Sequence, residues 1–215
     1  MSYRAALFDM DGTLVDSLEF HAACFQRFFR GYGLSLTIEE TKRMMGNTIK
    51  VILNHTLPEA LHGEAVDRLA GFYRTQIDDL LGLTRALPQV PETLAELERR
   101  GVPLFLVTNS KQEVAERMLH ACDLECFRQV VGADRDSLDK TDRCRELLAA
   151  NGLTPGQVLY VGDSAGDVEL AERVGMDSCL VLNKYSWIHK EGVDLASVHP
   201  THRVDAFGKI LQLLP

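Results

Sequence analysis

The stretch Leu7-Phe8-Asp9-Met10-Asp11-Gly12-Thr13-Leu14-Val15-Asp16 decides the reading of this chain. An apolar run, Ala5 to Phe8, ends abruptly in two aspartates one residue apart, with Gly12 and Thr13 behind them. Side chains alternate faces along a strand, so Asp9 and Asp11 can point the same way. Like charges held together raise each other's pKa, so such a pair calls for a cation or a shared proton. The C-terminal ends of strands are also where ligands bind in open α/β sheets. The run therefore reads as a site that holds a metal and meets an anionic substrate. The plainer reading is a polar turn after a first strand, with Asp and Gly serving turn geometry.

The surrounding chain narrows the class. It has 215 residues, 46% hydrophobic and 25% charged, with a net charge of -8. That is ordinary globular composition, sufficient for one large or two small domains. The acidic balance argues against nucleic acid as a partner, because phosphate backbones call for basic patches. It leaves room for a small phosphorylated ligand whose charge is met locally. No apolar run approaches the ~20 residues that span a bilayer, and no membrane partner is expected. A strand begins within four residues of the N-terminus, which leaves no room for a signal peptide. Cys24, Cys122, Cys126, Cys144 and Cys179 form no C-x-x-C pair and read as reduced thiols, so a cytoplasmic protein is expected.

Periodicity predicts a first strand over 3–8 and a helix over 16–30. Thr37 and Glu40 form a capping-box pattern opening a helix through Met44 and Met45, broken at Gly46 and Asn47. A short helix around Val51 to Leu53 and a longer stretch over 59–81 follow, so 15–85 reads as all helix. Pro91 then opens a helix ending at Gly101, and 102–107 is an apolar strand running into Thr108-Asn109-Ser110. Further helices are expected over 111–122, 141–150 and 168–174, strands over 129–133, 158–161 and 179–182, and a closing helix over 204–214. Apolar strands alternating with helices predict a doubly wound parallel α/β core, residues 1–14 and 86–215, with an all-helical cap domain inserted at 15–85.

Three strands thus end in polar clusters: Asp9-x-Asp11, Thr108-Asn109-Ser110 and Gly162-Asp163-Ser164-Ala165-Gly166-Asp167. In a parallel sheet all three reach one edge, and Lys140, ahead of a helix, joins them. Each has an alternative. Asp163 and Asp167 could cap the helix that follows, and Thr108-Asn109-Ser110 could be an N-cap. Lys140 could be solvated, with Asp136, Asp139 and Asp142 as its anions, and Lys111 is a rival for its role.

Together these motifs resemble the haloacid dehalogenase superfamily, in its branch of phosphoglycolate phosphatases and β-phosphoglucomutase-like enzymes with a helical cap after the first motif. The resemblance covers nearly the whole chain; it departs where Thr141 follows Lys140, since close relatives usually have proline there. It implies a Mg²⁺-dependent phosphomonoester hydrolase for a small anionic metabolite, phosphoglycolate-like or a sugar phosphate. Asp9 would be the nucleophile, forming an aspartyl-phosphate. Asp11 would be general acid and then base. Mg²⁺ would sit on the Asp9 side chain, the Asp11 carbonyl and Asp163, with Asp167 as ligand or supporting partner. Thr108, Asn109 and Ser110 would hold phosphate, and Lys140 would neutralise charge. His21, on the first cap helix, stands where β-phosphoglucomutases place a histidine, and Lys50 falls near their cationic residue for a distal anionic group; packing and solvation are the alternatives. A monomer or homodimer is expected.

The competing activities are a phosphosugar mutase and, from another class, a phospho-accepting receiver or binding protein. A dehalogenase is disfavoured because that branch lacks the second aspartate, and Asp11 is present. The segment 183–203, with Trp187, reads either as a loop near the site or as an interface.

Overall fold

The computed structural model describes residues 3–45, 49–133, 139–190 and 192–215, apart from the side chains of Lys50, Ala70 and Lys190. The expected breaks at Gly46 and Asn47, and Asp136, lie outside the described residues.

Six strands form one parallel sheet: β1 (Ala5–Phe8), β4 (Leu104–Val107), β5 (Gln129–Val131), β6 (Val158–Gly162), β7 (Asp177–Val181) and β8 (His202–Val204), in the order β5-β4-β1-β6-β7-β8. The three central strands are buried on both faces, and their side chains divide by parity, as strand geometry requires. Ala6, Phe8, Leu104, Leu106, Leu159 and Val161 enter one core layer. Ala5, Leu7, Phe105, Val107, Val158 and Tyr160 enter the other. Helices α5 (Val90–Arg99) and α6 (Gln112–Ala121) cover the first layer through Val90, Leu94, Leu97, Val114 and Met118. Helices α7 (Lys140–Ala150) and α8 (Ala165–Val174) cover the second through Cys144, Leu147, Leu170 and Ala171. This is the doubly wound arrangement that continuous apolar strands demand.

Register then places the polar clusters. Phe8 is level with Leu106 on one side and Val161 on the other, so Asp9, Thr108 and Asp163 emerge on one edge. The chain proceeds from β1 toward β4 and β5, then returns to β6 on the opposite flank. Asp9 therefore sits at the topological switch point, where neighbouring connections diverge and leave a crevice.

Helices α1 (Leu18–Arg30), α2 (Ile38–Met44), α3 (Ile49–Thr56) and α4 (His62–Leu80) form the insert. The capping box at Thr37 and Glu40 is present at the start of α2. Helix α1 carries two apolar stripes. Phe20 and Cys24 join the sheet's core, whereas Phe25, Phe28 and Phe29 join a separate cluster with Met45, Ile52, Leu53 and Ala65. Gly63 and Gly71 are both accommodated within α4.

Two expectations are corrected. The insert is not all helix, because β2 (Val15–Asp16) pairs antiparallel with β3 (Arg85–Ala86) at its two ends. Two-residue strands carry no readable alternation; the pairing is created by the chain leaving and re-entering at one place. The closing helix over 204–214 is instead β8 followed by a 3₁₀ turn, Phe207–Gln212. Val204, Phe207 and Ile210 are all buried, and a three-residue spacing suits a 3₁₀ turn as well as an α-helix.

Phe29→Ala empties a fully buried position in the insert cluster. It should lower unfolding free energy by about 3–5 kcal/mol in urea titration. Val66→Ser, on an exposed position, should stay within about 0.5 kcal/mol.

Candidate active site

The tight turn after β1 makes the site. Gly12 adopts φ +84, and a Cβ there would lie 2.4 Å from Asp163 Oδ2 and 2.5 Å from the Trp187 ring. Only glycine lets the chain turn so close to its neighbour. Met10 O accepts from the backbone N–H groups of Thr13, Leu14 and Val15, which closes the loop. Gly162 plays a parallel part. A Cβ there would strike Asp167 at 2.4 Å, so glycine lets the Asp167 carboxylate fold back under the strand end.

Asp9, Asp163 and Asp167 converge, each offering a carboxylate oxygen within 4.8 Å of the others. Lys140 Nζ donates to Asp9 Oδ1 at 2.6 Å and to Asp167 Oδ1 at 3.1 Å. Lys140 is thus partly buried and paired with two carboxylates rather than a solvated surface lysine. Asp139 caps α7 by accepting from Asp142 N–H. The rival Lys111 points elsewhere, donating to the Ala133 carbonyl at 3.3 Å.

Asp167 is saturated. Its Oδ1 accepts from Tyr160 OH as well as Lys140, and its Oδ2 accepts from Asp163 N, Ser164 N and Ser164 Oγ. Ser164, not Asp163, is the N-cap of α8, with Asp167 as its reciprocal partner. The capping reading therefore applies to Asp167, while the same carboxylate faces the cluster. Asp163 is pinned by Thr13 Oγ1 at 2.9 Å on one oxygen and by Trp187 N–H at 2.5 Å on the other.

Asp11 turns the other way. Its Oδ1 accepts from Ser17 Oγ at 2.6 Å and lies 2.9 Å from His21 Nε2; its Oδ2 accepts from Ser110 Oγ at 2.9 Å. Thr108 Oγ1 approaches the same oxygen at 3.4 Å and accepts from Ser110 N–H. Tyr73 OH stands 3.1 Å from His21 Nδ1. The Thr108–Ser110 stretch is not an N-cap, since Lys111 occupies that place in α6. Asn109 turns its side-chain oxygen to Arg143 Nη2 at 2.9 Å, while Arg143 Nη1 donates to the Thr108 carbonyl at 2.6 Å. The Lys50 side chain lies outside the described residues; the other expected residues meet at this edge.

Electrostatics separate the two aspartates. Burial raises the Asp9 carboxyl to about 7, against the pull of Lys140, with Asp167 and Asp11 adding to the rise. Burial acts in the same direction on Asp11. The neighbouring His21 and hydrogen bonds from His21, Ser17 and Ser110 outweigh it and bring Asp11 down to about 2. Asp163 is pushed well up by burial and then by the charges of Asp167 and Asp9. Asp167 is held low because Lys140, Ser164 and Tyr160 overcome its burial.

An all-oxygen cluster with two carboxyls driven toward protonation fits a hard divalent cation. Asp9 and Asp163 are suited to ligate it, with Asp167 orienting them, since all five of its donors are already in place. The Asp11 carboxylate is outside this group; the family resemblance implies its backbone carbonyl as a ligand instead.

The sequence model described as haloacid dehalogenase-like hydrolase matches residues 6–181. The chain belongs to that family. Phosphoglycolate phosphatase 1 of Pseudomonas aeruginosa is 29% identical over 217 residues, covering 97% of this chain and 78% of the relative. N-acetylmuramic acid 6-phosphate phosphatase of the same organism is 29% identical over 229 residues, covering 98% and 97%. A solved haloacid dehalogenase-like hydrolase from Streptococcus pneumoniae superposes with a TM-score of 0.83 at 24% identity, covering 98% and 97%. In this family member, the motifs after β1, β4 and β6 and the start of α7 form one site. A hydrolase family model leaves the receiver alternative without support.

Four contributors were not singled out from sequence. Tyr73, Tyr160 and Arg143 belong to none of the sequence motifs. Trp187 was noticed only as part of 183–203.

The raised Asp9 carboxyl sets a pH dependence. Between about 4 and 7 the folded protein holds a proton that the unfolded chain releases, so this group's contribution to metal-free stability is lost as pH rises through about 7. A cation must displace that proton. Millimolar Mg²⁺ should therefore raise the melting temperature more at pH 8 than at pH 6; equal increments would contradict the assignment.

Proposed function

We propose that this phosphatase hydrolyses phosphomonoesters of small anionic metabolites, phosphoglycolate-like or sugar phosphates, through an aspartyl-phosphate on Asp9. The observation that carries the reading is the asymmetric pair at the strand end. Asp9 faces Lys140 and the acidic cluster, while Asp11, two residues on, is gripped by His21, Ser17 and Ser110. One carboxylate is set for attack and the other for proton traffic.

An Asp9 oxygen attacks phosphorus and the ester P–O bond breaks. The leaving alkoxide takes a proton held by the Asp11–His21 pair. Water then attacks the acyl phosphate, Asp11 accepts its proton, and the P–O bond to Asp9 breaks to release inorganic phosphate. A carboxyl held near 2 is in the accepting form that this second half requires. Lys140 neutralises charge between Asp9 and the phosphoryl group, and Thr108 and Ser110 bound the phosphate on the β4 side. Mg²⁺ on Asp9, the Asp11 carbonyl and Asp163 would screen the repulsion between nucleophile and substrate.

We assign the insert, residues 15–85, as a cap domain over this edge. His21 of α1 and Tyr73 of α4 support that reading, because His21 lies against Asp11 and Tyr73 stands behind His21. A cap that delivers groups to the acid/base also excludes water. A phosphosugar mutase is the second reading, favoured by the same His21 contact; turnover of β-glucose 1-phosphate with its bisphosphate activator would select it. No helix among the described residues is long and apolar enough to cross a membrane, and the five cysteines are free thiols, which supports the cytoplasm as the location. We expect a monomer or homodimer.

Phosphate release from a panel of small phosphoesters with Mg²⁺ tests the activity, and no release from any of them would end the reading. Asp9→Asn should abolish turnover with the melting profile preserved. Asp11→Asn should slow turnover by roughly 10²–10⁴-fold; an unchanged rate would remove its proton-transfer role.

A further inference from the structure

Trp187 lies far along the chain from the catalytic motifs, yet it closes on them from three directions. Its backbone N–H donates to Asp163 Oδ2 at 2.5 Å. Its ring covers Gly12, so that a Cβ there would meet Cδ1 at 2.5 Å and Nε1 at 2.9 Å. The same ring stands edge-on to His21, centroids 5.9 Å apart at 87°. It also packs against the insert's apolar cluster, although the residue belongs to the connection after β7.

The support beneath it is rigid. Ser186 is fully buried, donates from Oγ to the Val181 carbonyl at 2.7 Å and accepts from Asn183 N–H at 3.0 Å. Ile188 is buried in a small cluster with Ala165, Val168, Leu180 and Val198. The 3₁₀ turn Trp187–Lys190 is thus anchored on either side of the indole. A side chain held this way keeps its place when a ligand presses on it.

A leaving alkoxide must come within hydrogen-bond reach of Asp11, about 3 Å, to take its proton. That position is bounded by Ser110 on the β4 side and by His21 on the insert side. The indole stands behind that position, over Gly12 next in the chain to Asp11 and edge-on to the same His21. We propose that Trp187 is a specificity-determining residue, a fixed wall beside the leaving-group position that favours small phosphoesters over hexose esters. The inference rests on the phosphatase reading above and goes beyond it by assigning the size of the substrate and the residue that sets it.

The test compares kcat/KM for phosphoglycolate and glucose 6-phosphate in the wild type, Trp187→Phe and Trp187→Ala. The wild type should prefer the two-carbon ester. Trp187→Ala should shift the ratio toward the hexose ester about tenfold or more, the order of discrimination an apolar pocket wall provides. Trp187→Phe should keep most of the wild-type preference. An equal loss on both esters in Trp187→Ala, or a wild-type preference for the hexose ester, would overturn the proposal and leave Trp187 a packing residue.

A second readout does not need the alanine variant to fold. Trp187 is the chain's only tryptophan, so its emission reports this wall alone. Phosphoglycolate bound to Asp9→Asn protein, with binding measured by calorimetry, should change that emission; saturable binding with unchanged emission would also overturn the proposal. Failure of the wild type to release phosphate from any ester is a different outcome, which strikes the phosphatase reading itself.

Discussion

Everything at this edge follows from one electrostatic constraint, the burial of several carboxylates around the Lys140 ammonium. Asp9, Asp163 and Asp167 are all removed from water and all within reach of one another. Lys140 holds two of them directly, yet one cation cannot satisfy three carboxylates. The shortfall appears as carboxyls at Asp9 and Asp163 that favour their protons. Uncompensated buried charge is costly, so the site is built to accept a further cation and, beside it, the anion that the cation and Lys140 together can balance.

The rest of the fold serves to hold this arrangement still. Strand register brings three polar turns level, and the two glycines Gly12 and Gly162 let backbone and carboxylate approach more closely than any side chain would allow. Asp167 is fixed by five donors, and Asp163 by one hydroxyl and one backbone N–H. Arg143, one turn after Lys140 on α7, ties that helix to the Thr108–Asn109 turn. The charge that neutralises Asp9 and the loop proposed to bind phosphate therefore move together. The insert acts on Asp11 rather than Asp9, through His21 with Tyr73 behind it. Asp9 and Asp11 are thus governed by different parts of the chain, which is how two aspartates two residues apart are shifted in opposite directions.

Much of this was legible in the order of residues. Alternating apolar strands and helices announced the parallel sheet because a strand buried on both faces must be apolar throughout. Asp9-x-Asp11, Thr108-Asn109-Ser110, Lys140 and Asp163 stood out because polar residues directly after such strands fall on one edge. Strands β2 and β3 escaped notice because each has two residues, and the 3₁₀ turn near the C-terminus carried a spacing shared with an α-helix. Arg143 and Tyr73 gave no signal, since a charge on a helix and an aromatic in an apolar stripe usually serve solvation and packing.

The sequence by itself determined the chemistry: which residue types end the strands, how far apart they lie, and that a helical insert follows the first of them. Local spacing controls those features, because the period of a strand or helix is a property of the backbone. Only the tertiary structure decided which aspartate is pushed toward protonation, which carboxylate is saturated, and that Trp187, from the connection after β7, stands beside Gly12 and His21. Those outcomes depend on burial and on distances between residues far apart in the chain, and neither exists until the sheet has closed.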